Sequence, residues 1–415
     1  MRTKIGRRGI LNGLAASGLA MPFNRPARAA AAVQMISHRF PALEYLAEKM
    51  RGAIPGVEVN TQLMPFDKAL ELATIAFSSK SSTPDIVYAN DSTFLTFAKN
   101  GWIRPLDDLW AKHREEFDLD DFTPTVRQER SYQGHIWSVP STSNVMLFFY
   151  RKDLFDKAGK QPPKTFVEYR DLAKSFNSPL RAGTISCLRP VDAALNETSW
   201  YINALGDGWF DEQWRPVFND AKGVAAIDML KQITRYAQQG FTSAANDECM
   251  IALQQDTAAM GLQWATRALS MDDPNKSRVV GKIDWAVPPQ GHEPFGGDGY
   301  CISAFTKQDP DLLFRILAIA TSKQNLRGAA GLMVPTRTSL LQDKDLTAKY
   351  RFYPAALASI GVGTGTPQLP EFYSVGDFIT RGVQQAVTGE MEVKPALDAA
   401  AAQTEAFLKG HGYYR

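Results

Sequence analysis

Residues 134–173 read GHIWSVPSTSNVMLFFYRKDLFDKAGKQPPKTFVEYRDLA. A β-type run at 136–139 is broken by Pro140. A second run, 145–150, is V-M-L-F-F-Y, almost continuously apolar, which suits a strand buried on both faces. An amphipathic turn over 152–158 follows and Gly159 closes it, after which Pro162-Pro163 stiffens the chain. Thr165, with Glu168 three residues on, forms a capping box that starts a new helix. A buried strand, a short helix, a stiff spacer and a capped helix can carry a chain from one lobe to another.

At 415 residues the chain exceeds what one hydrophobic core usually serves, so two domains are expected. Hydrophobic residues make up 44% and charged residues 22%, the balance of an ordinary globular protein. Residues 1–30 hold six basic side chains (Arg2, Lys4, Arg7, Arg8, Arg25, Arg28) and no acid. Without them, 46 basic and 44 acidic residues become 40 and 44, mildly acidic and unlike a nucleic-acid surface. The same segment has the three parts of an export signal: a basic start, an apolar region at 10–23, and A-R-A-A at 27–30. Its apolar region is too short and glycine-rich to span a bilayer. Arg7-Arg8 before G-I-L is a twin-arginine pattern, which implies export after folding; ordinary secretion also fits paired arginines there. No cysteine stands at the cleavage site to carry a lipid, and a periplasmic protein is expected. Cys187, Cys249 and Cys301 fall in no metal or redox pattern. They read as small buried hydrophobes, with one disulfide left open.

Working outward from the opening stretch, strands at 33–36, 57–59 and 85–88 alternate with helices at 42–50, 66–78 and 92–99. This is the βαβ rhythm of a parallel sheet, whose ligands gather at the carboxyl ends of the strands. Downstream lie an amphipathic helix at 221–239 stopped by Gly240, strands at 258–264 and 283–287, and G-G-D-G at 296–299 before a strand at 300–304. P-S-T-S, F-Y-R-K-D-L-F-D-K-A-G and P-P-K-T-F-V-E-Y in the opening stretch carry a family likeness. So do P-G-V-E-V, T-P-D-I-V-Y-A-N-D and N-G-W-I-R-P-L-D-D-L upstream. In this order they resemble bacterial extracellular solute-binding proteins of ABC importers, of the sugar-binding, maltose-binding-protein-like class. The resemblance covers nearly all of the chain after residue 30. It implies an α/β, two-lobed periplasmic-binding-protein fold (type II-like), with discontinuous lobes joined by a multi-strand hinge. Residues 31–140 and 290–336 would form the N-terminal lobe, and 141–289 and 337–415 the C-terminal lobe. The implied crossings lie near 139–150, 287–297 and 335–341.

Patterns for catalysis are absent: no HExxH, GxSxG or phosphate-binding loop. The five histidines lie far apart. The glycine-rich 361–365 follows no strand and reads as a loop, 118–121 as a solvated turn, and Tyr413-Tyr414 as a packed tail. No enzyme, cofactor or metal is expected. Binding a small polar molecule calls for aromatic faces and planar polar groups, and these occur where an α/β site would sit. His38 and Arg39, with Phe40, follow the first strand; Phe66 and Asp67 open the second helix; Asn90 and Asp91 follow the third strand. Asn144 precedes the crossover strand, and Glu197, Trp200, Trp264 and Asp298 complete the set. The resemblance makes Asp91 a ligand carboxylate and Trp264 a stacking ring. Family members often carry an aromatic at G-G-x-G where this chain has Asp298, a departure that leaves room for a polyol, amine or glycoside. The expected function is capture of a small polar solute, a carbohydrate first, by a monomer that delivers it to an ABC permease in the inner membrane. The alternatives are an exported carbohydrate-active hydrolase or lyase, and a polyol-, amine- or metal-binding member of the same fold.

Overall fold

The computed structural model describes residues 32–91 and 93–414, without the side chain of Asp67. The export-signal reading of 1–30 lies outside the described residues. The strands are β1 (Val33–His38), β2 (Val59–Met64), β3 (Ile86–Asn90), β4 (Ser131–Tyr132), β5 (His135–Ile136), β6 (Val139–Arg151), β7 (Met260–Trp264), β8 (Ile283–Ala286), β9 (Pro294–Ile302) and β10 (Thr364–Gly365). As expected from the βαβ rhythm, β2, β1 and β3 run parallel. β9 is antiparallel to β3, and the sheet continues through β6 to β7.

The opening stretch is organised differently from its sequence reading. Pro140 does not end a strand: β6 runs unbroken for 13 residues. The proline falls where the register against β9 shifts, between Pro140 and Thr142, a place where a missing N–H is tolerated. From Val139 to Val145, β6 pairs with β9. From Met146 onward it pairs with β7 and then also β8. A single strand is thus shared between two halves of the sheet. The glycine run 296–299, read as a lead-in to a strand, lies inside β9. The start of β9 also pairs with β10, which lies inside the glycine-rich loop.

Alternation along β6 divides the interior, because successive side chains of a strand point to opposite faces. Val145, Leu147 and Phe149 join a core with β1, β3, β9 and the helices Pro41–Arg51 and Pro310–Ala320. Met146, Phe148 and Tyr150 join a second core with the helices Phe166–Phe176, Asp192–Leu205, Ala221–Thr234, Phe372–Thr388 and Val393–Gly410. A third, smaller core gathers Val87, Ala89, Phe94, Phe97 and Cys301. Local signals hold where they were strong. Thr165 and Glu168 make both bonds of the capping box, and Gly159 closes its helix at φ 62°, a left-handed turn that glycine takes without strain. The helix at 221–239 ends earlier than its apolar pattern, at Thr234. Trp110 and Trp285 are buried, and Trp102 is half-buried against the third core. Cys187 and Cys249 form a disulfide, the bond the sequence left open, while Cys301 is buried and free, as a small buried hydrophobe.

Phe149 is fully buried, with its ring 5.9 Å from that of Trp285. Truncating such a phenylalanine costs the transfer term plus a cavity, about 3–5 kcal/mol. Phe149→Ala should lower the unfolding free energy by that amount in urea titration; a loss below ~1 kcal/mol would mean that the shared strand is not the structural centre.

Candidate functional site

The carboxyl ends of β1 and β3 build one wall. The His38 ring packs within 5.3 Å of Phe40, 5.9 Å of Phe66 and 5.8 Å of Tyr88, forming an aromatic cup. Arg39 beside it is exposed. Asn90 accepts the Thr93 backbone N–H at 2.9 Å and so caps the helix Thr93–Lys99, an N-terminal role common for asparagine. This fixes the loop on which Asp91 stands. Asp91 accepts a hydrogen bond from the Thr366 hydroxyl and lies against Gly296 of β9. A Cβ on Gly296 would come within 3.2 Å of Asp91 Oδ2, so a larger residue there would press on the carboxylate.

The floor is β9 and the first half of β6. Asp298, opposite both Asn90 and Thr142, accepts the Tyr88 hydroxyl at 2.6 Å and the Thr142 hydroxyl at 2.6 Å. Asn144 lies opposite Gly296, and its Oδ1 is buried without a hydrogen-bond partner among the described residues. The far wall comes from beyond β6. Trp264, half-buried at the end of β7, is in register with Met146, two residues past Asn144. Asp192 opens the helix Asp192–Leu205 and accepts from the amides of Asn196 and Asn246, at 3.1 and 3.4 Å. Tyr373 lies at the head of the helix Phe372–Thr388.

Electrostatics ties the walls together. Burial raises the Asp91 carboxyl above its usual range; Arg130 opposes this, and Asp298 adds to it. The Asp192 side chain reaches solvent, yet the walls around it and then Asp91 push its carboxyl up. The Tyr373 hydroxyl is raised by burial and then by the negative charges of Asp91, Asp192 and Asp298. Arg130, only 1% exposed, sits behind Asp91 with its guanidinium 4.9 Å above the Phe94 ring. Its terminal nitrogens have no hydrogen-bond partner among the described residues. Carboxylates and an open amide oxygen accept hydrogen bonds from hydroxyls, a phenol gives one back, and rings on both walls cover C–H faces.

Two expected site residues fall elsewhere. Trp200 is 0% exposed, with its ring 4.6 Å from Phe166 and its indole N–H donating to the Pro289 carbonyl at 3.1 Å. Glu197 is buried and accepts from the Ser186 hydroxyl at 2.6 Å and the Cys187 backbone N–H. Both point to the core side of the helix whose first residue, Asp192, reaches the cleft. Burial drives the Glu197 carboxyl up to about 7 against those two donors. Asp67 lies outside the described side chains. Sequence reading missed Asp192, Tyr373, Thr366 and Arg130. An aromatic opening an amphipathic helix reads as core, so nothing local marks Tyr373. Asp192 carried a signal, a carboxylate where a mostly apolar helix begins.

The model of the bacterial extracellular solute-binding protein family matches residues 37–326. A mannitol-binding protein of Pseudomonas aeruginosa is 26% identical over 344 residues, 75% of this chain and 78% of that one. An sn-glycerol-3-phosphate-binding periplasmic protein of Escherichia coli O1:K1 is 29% identical over 203 residues, 46% of each chain. Among solved structures, an ABC transporter solute-binding protein from Agrobacterium radiobacter K84, in complex with ribitol, superposes with a TM-score of 0.80. It is 26% identical, and the match covers 91% of this chain and 99% of that one. The fold is thus that of the two-lobed periplasmic binding proteins, as expected.

Two outcomes follow from this geometry. A stacked ring is worth roughly 0.5–1.5 kcal/mol beyond burial, and a hydrogen bond to a charged group about 1.5–3 kcal/mol. Trp264→Ala should weaken solute binding about tenfold and Asp91→Ala at least as much. In calorimetric titration with a polar solute found by thermal-shift screening both losses should appear while apo melting changes by only a few degrees; unchanged affinity with a large melting loss would make Trp264 a core residue. Glu197 holds a proton in the folded chain up to about pH 7 and, unfolded, releases it near its ordinary value of 4.5. The folded state binds the extra proton between those values, so stability falls as pH rises through that window. Urea midpoints at about pH 5 and about pH 7.5 should show this fall, and Glu197→Gln should lessen it, the rest coming from Glu129 and Glu293, which burial also raises to about 7.

Proposed function

The chain belongs to the bacterial extracellular solute-binding protein family, and from that premise we propose that it captures an uncharged polyol between its lobes for an ABC importer. The observation that carries this reading is a row of acceptors at the strand ends: Asp298 held by Tyr88 and Thr142, Asp91 held by Thr366, and the buried Asn144 Oδ1 with no partner among the described residues. Three acceptors from three separate elements suit a chain of hydroxyl donors, and the aromatic cup at His38 and Trp264 opposite suit its C–H edges. The mannitol-binding relative and the ribitol-bound neighbour support the same chemical class. The N-terminal lobe, 31–140 and 290–336, supplies Asp91 and the aromatic cup. The C-terminal lobe, 141–289 and 337–415, supplies Asp192, Trp264 and Tyr373. Solute that touches both walls binds the closed form better than the open one, which is all that closure requires. The carboxylates serve as acceptors and take part in no covalent step. The protein works in the periplasm, where the inner-membrane permease receives the closed form.

The sn-glycerol-3-phosphate-binding relative raises a second reading, a phosphate ester. The charge in the cleft opposes it. Of the guanidiniums near these carboxylates, Arg39 is exposed beside the aromatic cup, Arg130 is buried behind Asp91, and Arg267 pairs with Asp247 at 2.7 Å. A dianion would meet carboxylates with its oxygens and desolvate without a partner. Titration calorimetry should show saturable binding of ribitol or D-mannitol, and sn-glycerol 3-phosphate at least about a hundredfold weaker, a gap of ~2.7 kcal/mol. Tighter binding of the phosphate ester would refute the polyol reading, and steady turnover of a glycoside would refute the binding-protein reading.

A further inference from the structure

The helix Thr93–Lys99 packs its apolar face into the small core with Val87, Ala89 and Cys301. The helices Phe372–Thr388 and Val393–Gly410 belong to the second core, on the other side of β6. These two bodies meet through side chains that no interior packing demands. Lys99 Nζ donates to Glu371 Oε1 at 2.6 Å and to the Tyr413 hydroxyl at 3.1 Å. The Tyr413 hydroxyl in turn donates to Glu371 Oε2. Lys99 also lies 4.7 Å from the centre of the Tyr413 ring. One turn earlier, the Thr96 hydroxyl points at the Pro370 carbonyl at 3.4 Å. Glu371 is only 14% exposed at its side chain and stands two residues before Tyr373, so this contact borders the cleft.

We propose that Lys99, Glu371 and Tyr413 form a latch between the lobes, which biases the protein toward its closed form before any solute binds. The proposal rests on lobe closure as argued above, and it makes no use of the solute's identity. The three groups close a triangle in which each contact supports the other two. A lysine shared by a carboxylate and an aromatic face is held by both charge and quadrupole. Apparent affinity equals intrinsic affinity multiplied by the fraction of molecules already competent to bind. A latch that raises the closed fraction therefore tightens binding without touching the solute. Tyr413, just beyond the last helix, acts as a strap that ties the chain's C-terminal end to the opposite lobe.

Lys99→Met and Tyr413→Phe test this, with Lys99→Arg as the charge-preserving control. Small-angle X-ray scattering of the solute-free proteins should give a larger radius of gyration for Lys99→Met than for the wild type, and a wild-type value for Lys99→Arg. With ribitol as probe, Lys99→Met should bind about tenfold more weakly through faster dissociation. Salt separates the latch from simple packing. Ribitol carries no charge, so a fall in wild-type affinity between about 0.05 and about 1 M salt reports screening within the protein, and Lys99→Met should lose most of that dependence. Unchanged solute-free scattering in both Lys99→Met and Tyr413→Phe would overturn the latch. So would a salt dependence that survives in Lys99→Met. Failure of every polyol to bind would sink the polyol reading alone, because the solute-free scattering still decides the latch.

Discussion

Everything in this molecule hangs on one strand whose two faces feed two different cores. From Val145 to Tyr150, odd residues enter one apolar cluster and even residues the other. Such a strand can hold no polar side chain along that run, since neither face reaches water and an unpaired polar group there would cost several kcal/mol. Recognition chemistry is therefore pushed to the ends of the strands. Asn144 stands one residue before the apolar run, and Trp264 ends β7 directly across from Met146. Asp298 lies where β9 meets both β3 and β6. The same pairing that joins the two halves sets the depth of the cleft between them.

How much of this the sequence disclosed depended on whether the deciding interaction was local. The helix Phe66–Ser78 and the Thr165 capping box were legible to the residue, because their signals lie within four positions. The βαβ order placed Asp91 correctly at a strand's carboxyl end. Pro140 misled because proline normally breaks a ladder; only the irregular register opposite β9 lets it stay. The segment 296–299 read as a lead-in to a strand, yet it lies inside one, and Gly296 stands against the Asp91 carboxylate, 205 positions away in the chain. Glu197 and Trp200 were misplaced by the phase of a helix buried on most sides, where composition does not say which side faces a cleft. The Cys187–Cys249 bond joins positions 62 apart, beyond any local pattern.

The cleft gathers like charges at some cost. Asp91 and Asp298 line one floor, Asp192 faces them, and burial disfavours the ionised form of any carboxyl held this way. At Asp91 the field of Arg130 offsets this first and the Thr366 hydroxyl second, while Tyr88 and Thr142 donate hydroxyls to Asp298. Arg130 contributes from behind, through field rather than contact. Hydroxyl donors satisfy lone pairs without cancelling charge, so the cleft stays acceptor-rich. It is set up to receive more donors of the same kind.

Two opposed forces then act across the hinge. On the proposed reading Asp91 repels Asp192 across the cleft, while Lys99 draws Glu371 and Tyr413 toward the N-terminal lobe. A solute with several hydroxyls inserts donors between the carboxylates and removes the first force while leaving the second. An anion would strengthen the first. On that reading selectivity and closure are one balance: the charge pattern that disfavours an anionic solute also opposes closure of the lobes. Ligands shift a two-state equilibrium only by their differential affinity, and here that difference is largest for a molecule that donates many hydrogen bonds and carries no charge.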